Sequence, residues 1–461
     1  MNRELDTWFI EHRPDHLDEL FALLSIPTIS ALSEHKPDMQ AGAAWVAHAL
    51  ETAGFEHVAV MPTGGHPAVY GDYLHAADAP VVLIYGHYDV QPVDPLALWE
   101  TGPFTPTLRD GKVYARGASD DKGQIFMHIK ALQALLSTTG TLPVNVKFCI
   151  EGEEEIGSAH LDEFVETNQA RLAADVLVIS DTTLYGPDQP AIIYGLRGLC
   201  AAQINVRTAR GDLHSGLFGG AVPNAARALV SLLSTLHHAE GDVAVKGFYD
   251  SVVPLSPQEK AAFAALPHED ETYRTNLGLT ALQGEPGFST LERVSARPTL
   301  EINGIYGGFQ GEGTKTVIPC QAHAKITCRL VSDQEPDQIL DLVFAHLQEH
   351  APAGATVTMD RYDSGRPFVT GLDSAAIRAA AAAYKDTYGV EPFYMRMGGS
   401  IPVVETFGRL LHLPVVMMGF GLPDENFHAP NEHFTLSNFD RGLRTLANYY
   451  GRLAEAMALS P

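Results

Sequence analysis

His87 and Asp89 stand two residues apart in Gly86-His87-Tyr88-Asp89-Val90, directly after the apolar run Val81 to Tyr85. On an extended segment such a pair shares a face, so the Asp89 carboxylate can orient the His87 imidazole, as the outer partner of a metal-bound histidine does. A second apolar run, Val144 to Ile150, leads into Glu151-Gly152-Glu153-Glu154-Glu155, and a third, Val176 to Ser180, leads into Asp181. Adjacent carboxylates repel one another; after a buried strand they make sense if one binds a cation and the next stays free as a base. Asp120-Asp121, and His428 in Asn426-Phe427-His428-Ala429-Pro430-Asn431-Glu432, add to the set.

Each motif alone has a plainer reading. A single histidine is usually an ordinary hydrogen-bonded one, an acidic run is usually a solvated surface, and Asp120-Asp121 would serve as the N-cap of the following helix. The joint occurrence of His87, Asp120, Glu154, Glu155, Asp181 and His428 at separate element ends is what points to chemistry, because a mixed histidine and carboxylate set suits zinc.

The elements that would position these groups are legible as alternating strand and helix. Leu17, Leu20, Phe21 and Leu24, then Met39, Ala43, Val46 and Leu50, fall at helical spacing. The runs Pro80–Tyr85, Val144–Ile150 and Asp175–Ser180 flank a helical stretch around Gly123–Leu136, the pattern of a layered α/β sheet. In open α/β sheets ligands bind beyond the carboxyl ends of the strands, where these motifs lie. Near Gly198 the character changes: strand-like Leu199–Val206, helix-like Asn224–Leu236, an irregular Pro254–Gly287, strand-like Ala322–Leu330, helix-like Pro336–Glu349 and strand-like Ala355–Asp360 describe a small α+β unit. From Asp373 the alternation resumes, with a strand at His412–Met418 and a terminal helix over Thr435–Met457. The expected organisation is a catalytic domain formed by residues 1–197 and 368–461, with residues 198–367 inserted.

Composition narrows the function. The 461 residues carry a formal net charge of −25, which repels a phosphate backbone, so neither nucleic acid nor an anionic membrane is the expected partner. With 45% hydrophobic and 19% charged residues the chain can build cores at this length, and two domains are expected. The four cysteines, Cys149, Cys200, Cys320 and Cys328, are too sparse for a disulfide framework. The opening residues lack an apolar signal core and no later stretch has membrane-spanning length, so a cytoplasmic location is expected.

The motifs Gly86-His87-Tyr88-Asp89, Ala115 to Gly123, Glu151 to Ser158, Gly211 to Gly216 and Gly398-Gly399-Ser400-Ile401-Pro402 resemble the co-catalytic zinc exopeptidases. That family includes carnosine dipeptidase, cytosolic non-specific dipeptidase, aminoacylase and succinyl-diaminopimelate desuccinylase, and the likeness spans nearly the whole chain. The segment from Arg297 through Pro319 resembles the dipeptidase branch more than the acylase branch.

The resemblance implies an α/β zinc-peptidase catalytic domain with an inserted α+β lid and dimerisation domain, and hence a homodimer. It implies two divalent ions, zinc by preference with manganese or cobalt as alternatives. Asp120 would bridge them, His87 and Asp181 completing one ion and Glu155 and His428 the other. A hydroxide held between the ions would attack the peptide bond of a dipeptide or very short peptide, with Glu154 as base and Asp89 beside His87. His214 would reach the partner subunit's site to stabilise the oxyanion, and Arg329 with the Gly399-Ser400 backbone would hold the substrate's terminal carboxylate. One departure stands out: Met397 precedes Gly398-Gly399-Ser400 where related dipeptidases often carry a glutamate, which bears on recognition of the free amine.

Other motifs lead nowhere. Gly308–Gly313 with Thr314 and Lys315 imitates a phosphate loop, but its lysine sits one residue late. There is no Gly-x-Ser-x-Gly elbow, and His214-Ser215 are adjacent only in sequence. Two alternatives to a dipeptidase are an N-acyl-amino-acid amidohydrolase, which would use the same metals and base, and a non-catalytic metal-binding protein, against which the intact Glu154 argues.

Overall fold

The structure, a computed structural model, describes residues 3–399 and 401–458. The chain divides into two compact units, one formed by residues up to Tyr194, Thr370–Met395 and Pro402 onward, the other by Gly195–Val369 with Arg396–Ile401.

The centre of the first unit is a sheet in which Asn145–Glu151, Val81–His87, Val176–Ile179 and Val415–Met417 lie side by side and parallel. Ala68–Tyr73 and Glu56–Met61 extend one edge antiparallel, and Ala191–Leu196 runs antiparallel beside Val415–Met417. The central strands are buried almost throughout, which is why they read as unbroken apolar runs rather than alternating ones. Helices Lys36–Thr52, Lys122–Thr139, Ala375–Tyr388 and Leu436–Ala458 supply the rest of this core, with Met39, Ala43, Val46 and Leu50 on the buried face of the first.

Lys122–Thr139 is buried on every side over its first three turns, so its polar residues must find partners inside the protein. Lys122 Nζ donates to the carbonyls of Leu23 (3.3 Å) and Ile26 (2.7 Å), Lys130 pairs with Glu19, and His128 lies 2.7 Å from both Tyr450 Oη and Ser180 Oγ. No helix of the described residues is long and apolar enough to cross a membrane.

In the second unit Thr299–Gly307, Gln321–Leu330, Gly198–Arg207 and Thr356–Gly365 form a four-stranded antiparallel sheet in that order. Helices Ala225–Leu233 and Pro336–Glu349 close a core on one face with alternate strand residues such as Cys200, Ala202, Ile204, Ala324, Ile326 and Cys328. This is the α+β composition expected between the two halves of the first unit.

The expectation that Pro254–Gly287 is irregular is corrected: it contains helices Pro257–Ala265 and Asp270–Asn276. The first opens on a capping box, in which the Ser256 hydroxyl accepts the Glu259 amide and the Glu259 carboxylate accepts the Ser256 amide, with Pro257 in the first turn. The sequence carries this signal as Ser256-Pro257-Gln258-Glu259. A helix at Arg3–Glu11 adds to the expected elements.

Complete burial lowers the His128 pKa to about 3, because nothing near it compensates a buried imidazolium. The unfolded chain then binds this proton first, so stability is full above pH 6.5 and declines as pH falls toward 3, by about 1.4 kcal/mol per unit. We expect His128→Gln to start less stable at pH 8, yet to lose about 2.5 kcal/mol less than the parent between pH 6.5 and 4.5. Urea denaturation across that range checks this, and equal losses would contradict it.

Candidate metal centre

Three of the parallel strands of the first unit lead at their carboxyl ends into the polar groups of the site. His87 ends its strand, Glu151 ends the neighbouring one, and Asp181 comes two residues after Ile179. Pairing of His433–Thr435 with Lys112–Tyr114 lays the loop that carries His428 beside the turn Ala115–Asp121. Gly123 lets the next helix start against that turn, since a Cβ there would collide with the Ala118 carbonyl oxygen, and a Cβ at Gly86 would strike Ile125.

Two trios of ligand atoms result. His87, Asp120 and Asp181 form one, and Asp120, Glu155 and His428 the other, with the donor atoms of each trio within 4.8 Å of one another. Asp120 belongs to both and turns one oxygen to each: Oδ1 lies 3.2 Å from His87 Nε2, and Oδ2 lies 2.9 Å from His428 Nε2. Asp181 Oδ2 is 3.7 Å from His87 Nε2, and Glu155 Oε2 is 3.2 Å from His428 Nε2.

His87 is fully buried, and its Nε2 has no hydrogen-bond partner although it faces two carboxylates. A buried nitrogen left without a hydrogen bond beside acceptor oxygens, in a nitrogen and oxygen donor set of this size, fits a divalent cation.

The remaining side chains brace these groups. His87 Nδ1 donates to the Asp89 carbonyl at 3.1 Å, with the Asp89 carboxylate 3.4 Å away. That carboxylate accepts the backbone amides of Glu154 (3.2 Å) and Glu155 (3.1 Å), so Asp89 ties the histidine strand to the glutamate run. Asp121 does not cap the helix it precedes: its Oδ2 accepts the His87 amide at 3.2 Å.

Within the acidic run each residue has its own surroundings, so it is not a solvated face. Glu151 accepts from Tyr85 (2.5 Å) and Ser158 (2.9 Å), Glu153 from the His66 amide (3.1 Å) while facing His160 (2.7 Å), and Glu155 from Gln91. Glu154 makes no side-chain hydrogen bond or ion pair among the described residues, yet it lies within electrostatic reach of His87, Asp181, Glu155 and Asp120.

The electrostatics show a site that attracts positive charge. Burial, joined by the Asp120 charge, pushes Asp181 up to about 7; burial also pushes Glu154 well above the usual carboxylate range. Burial acts to lower His87, but its contacts with Asp120 and Asp89 raise it well above its ordinary value, and Asp120 and Glu155 raise His428 to about 10.

His214, Arg329 and Gly399 belong to the second unit. His214 is exposed and its Nδ1 accepts the Gly216 amide at 3.0 Å. Arg329 lies on the sheet opposite Thr299 and lines a cavity of about 430 Å³ with Arg197, His237 and Glu301, all from that unit. Ser400 lies outside the described residues.

The layered fold and the double trio define a class, and the sequence matches peptidase family M20/M25/M40 over residues 83–452. The chain belongs to that family of hydrolases acting on peptide bonds. It is 32% identical over 466 residues to the Cys-Gly metallodipeptidase DUG1 of Candida albicans, with 96% of each chain covered. It is 34% identical over 379 residues to the Beta-Ala-His dipeptidase of Homo sapiens, covering 81% of this chain and 75% of that protein. The solved structure of the M20 family metallo-carboxypeptidase Sso-CP2 from Sulfolobus solfataricus superposes with a TM-score of 0.83 at 31% identity, covering 95% of this chain and 99% of that one.

The Asp89 carboxylate gives a test of the bracing. Asn at this position offers one acceptor oxygen for two amides, so Asp89→Asn is expected to cost roughly 2–3 kcal/mol of stability in urea denaturation at unchanged far-UV dichroism, and parent stability would contradict the assignment.

Proposed function

We propose that the chain is a metallodipeptidase that hydrolyses dipeptides or very short peptides with two divalent ions, zinc by preference, at the double trio. The observation that carries this is Asp120, whose two oxygens face the two imidazoles, one to each trio. The dipeptidase names of the two curated relatives support the substrate class. His87 and Asp181 would hold one ion, Glu155 and His428 the other, with Asp120 between them. Bound there, the ions supply Lewis-acid polarisation of the scissile carbonyl and an acidified water.

The protein's own part is proton movement and placement. Glu154 takes a proton from the attacking water as the new C–O bond forms, and gives it to the amine nitrogen as the C–N bond breaks. Burial and the neighbouring carboxylates raise the Glu154 carboxyl, and cations at the trios would counter that rise and leave it free to accept the water's proton. Asp89 fixes His87 and the Glu154 peptide together. By the same reading Arg329, with Gly399 and Ser400, holds the substrate's terminal carboxylate, His214 serves the developing oxyanion, and the active species is a homodimer.

The likeness to a metallo-carboxypeptidase favours one second reading, removal of C-terminal residues from longer peptides. The deciding experiment is a panel of free-amine dipeptides, longer peptides and N-acylated amino acids given to zinc-loaded protein. Dipeptides are expected to be cleaved best, and Glu154→Gln to lose at least about 100-fold in kcat with both ions retained. Preference for longer peptides establishes the carboxypeptidase reading, preference for acylated amino acids an amidohydrolase, and activity on none refutes an enzyme of this kind. Arg329→Met is expected to raise KM for dipeptides with kcat little changed; an unchanged KM removes Arg329 from substrate binding.

A further inference from the structure

Glu432 is completely buried, and both of its carboxylate oxygens are taken by donors of a single turn. Oε2 accepts Arg116 Nη1 at 2.8 Å and the Gly117 amide at 3.0 Å; Oε1 accepts the amides of Ser119 at 3.0 Å and Asp120 at 3.2 Å. Its own backbone carbonyl accepts the Ala115 amide at 3.1 Å, at the start of the same turn. Arg116 is itself 1% exposed, and its Nη2 donates to the Pro92 carbonyl at 3.1 Å.

On the other side, Glu432 closes the loop that carries His428. That loop holds three non-glycine residues in the left-handed region: Asn426 at φ +57°, His428 at +57° and Asn431 at +62°. Each such residue costs on the order of 1 kcal/mol, so the loop needs fixing from outside. Asn431 does part of this, accepting the Glu100 amide at 2.8 Å and donating to the Leu98 carbonyl at 2.9 Å. Glu425 contributes through Ser119 Oγ at 2.7 Å, and Glu432 binds the loop to the Asp120 turn through four donors.

We propose that Glu432 is a positioning residue for the metal centre: its buried carboxylate joins the Asp120 turn to the His428 loop and so sets both trios at once. The inference rests on the metal reading above. Because Asp120 is shared, loosening its turn disturbs both ions together, whereas removing a ligand that belongs to one trio disturbs one. Glutamine at 432 keeps the size but offers one acceptor oxygen to four donors, and its NH2 would face an N–H.

The test is titration of the full-length apoprotein with Co²⁺, read by visible d–d absorption and by competition with a chromophoric chelator. The parent is expected to take two Co²⁺ per chain, and His428→Ala to weaken one while leaving the other. Glu432→Gln is expected to weaken both together by roughly 10–100-fold, with an altered absorption band and parent far-UV dichroism. Glu432→Asp keeps the charge and loses reach, so it falls between the two.

Parent-like affinity in folded Glu432→Gln, or a loss confined to one ion, overturns the proposal. If Glu432→Gln does not fold, Glu432→Asp decides, and parent-like affinity there overturns it. If neither variant folds, the carboxylate is needed for folding itself and the proposal is wrong. A parent that takes up no ion pair fails the metal reading, and this inference with it; a parent with two ions and indifferent variants fails the inference alone.

Discussion

Carboxylates that share one crevice repel one another, and the first unit is arranged around that repulsion. Two unit charges at 4.8 Å in an effective dielectric of about 20 oppose each other by about 3.5 kcal/mol. Asp120 stands within that distance of both Asp181 and Glu155. Unrelieved, a few such pairs would consume a large part of the 5–15 kcal/mol, roughly, that keeps a domain folded. Relief comes from imidazoles between the carboxylates, from protons on groups such as Asp181, and from peptide amides aimed at the rest. Positive charge delivered to the two trios would relieve it further.

This explains why so many of the bracing bonds run from backbone amides to buried carboxylates. Asp89 takes two amides, Asp121 one and Glu432 three. A main-chain donor in a fixed turn stabilises a negative charge without the rotamer entropy that a lysine would lose. It also turns electrostatic relief into geometry, because the amide cannot serve the carboxylate unless its peptide lies in one orientation. The buried strands and the helix Lys122–Thr139 make those orientations rigid, with His128 and Lys122 satisfied internally so that the helix can stay fully enclosed.

Much of the arrangement was legible in the sequence because parallel strands buried on both faces show as apolar runs, and the residue after each run is forced to the same edge. That logic reaches His87, Glu154, Glu155 and Asp181. It does not reach Glu432, whose partners lie 312 to 316 positions earlier and come mostly from the backbone, which has no sequence signature. Asp89 shows the same limit. Its spacing places a carboxylate 3.4 Å from the histidine ring, but it does not show that the ring also donates to the Asp89 carbonyl or that the carboxylate serves the amides of Glu154 and Glu155. The helices within 254–287 lie in a stretch poor in apolar periodicity, where the first is signalled only by a local capping box and the second has no side-chain cap at all.

Reaction class and substrate choice are encoded in different residues. On the proposed mechanism the trios and Glu154 would act on the atoms every amide bond has in common, so nothing in them would distinguish an aminoacyl group from an acyl group. That distinction needs a group that recognises a free ammonium, and a carboxylate is strong at this because an analogue lacking the amine leaves it buried and unpaired. Met397, at the end of the strand Phe393–Met397, stands where the resemblance leads one to expect such a carboxylate. A thioether accepts hydrogen bonds only weakly and carries no charge, so Met397 has little to lose when the amine is missing. Strict selection for free-amine substrates therefore has to come from another residue, and if no other supplies it, the chain combines a dipeptidase's metal chemistry with a broader tolerance on the amine side of the bond.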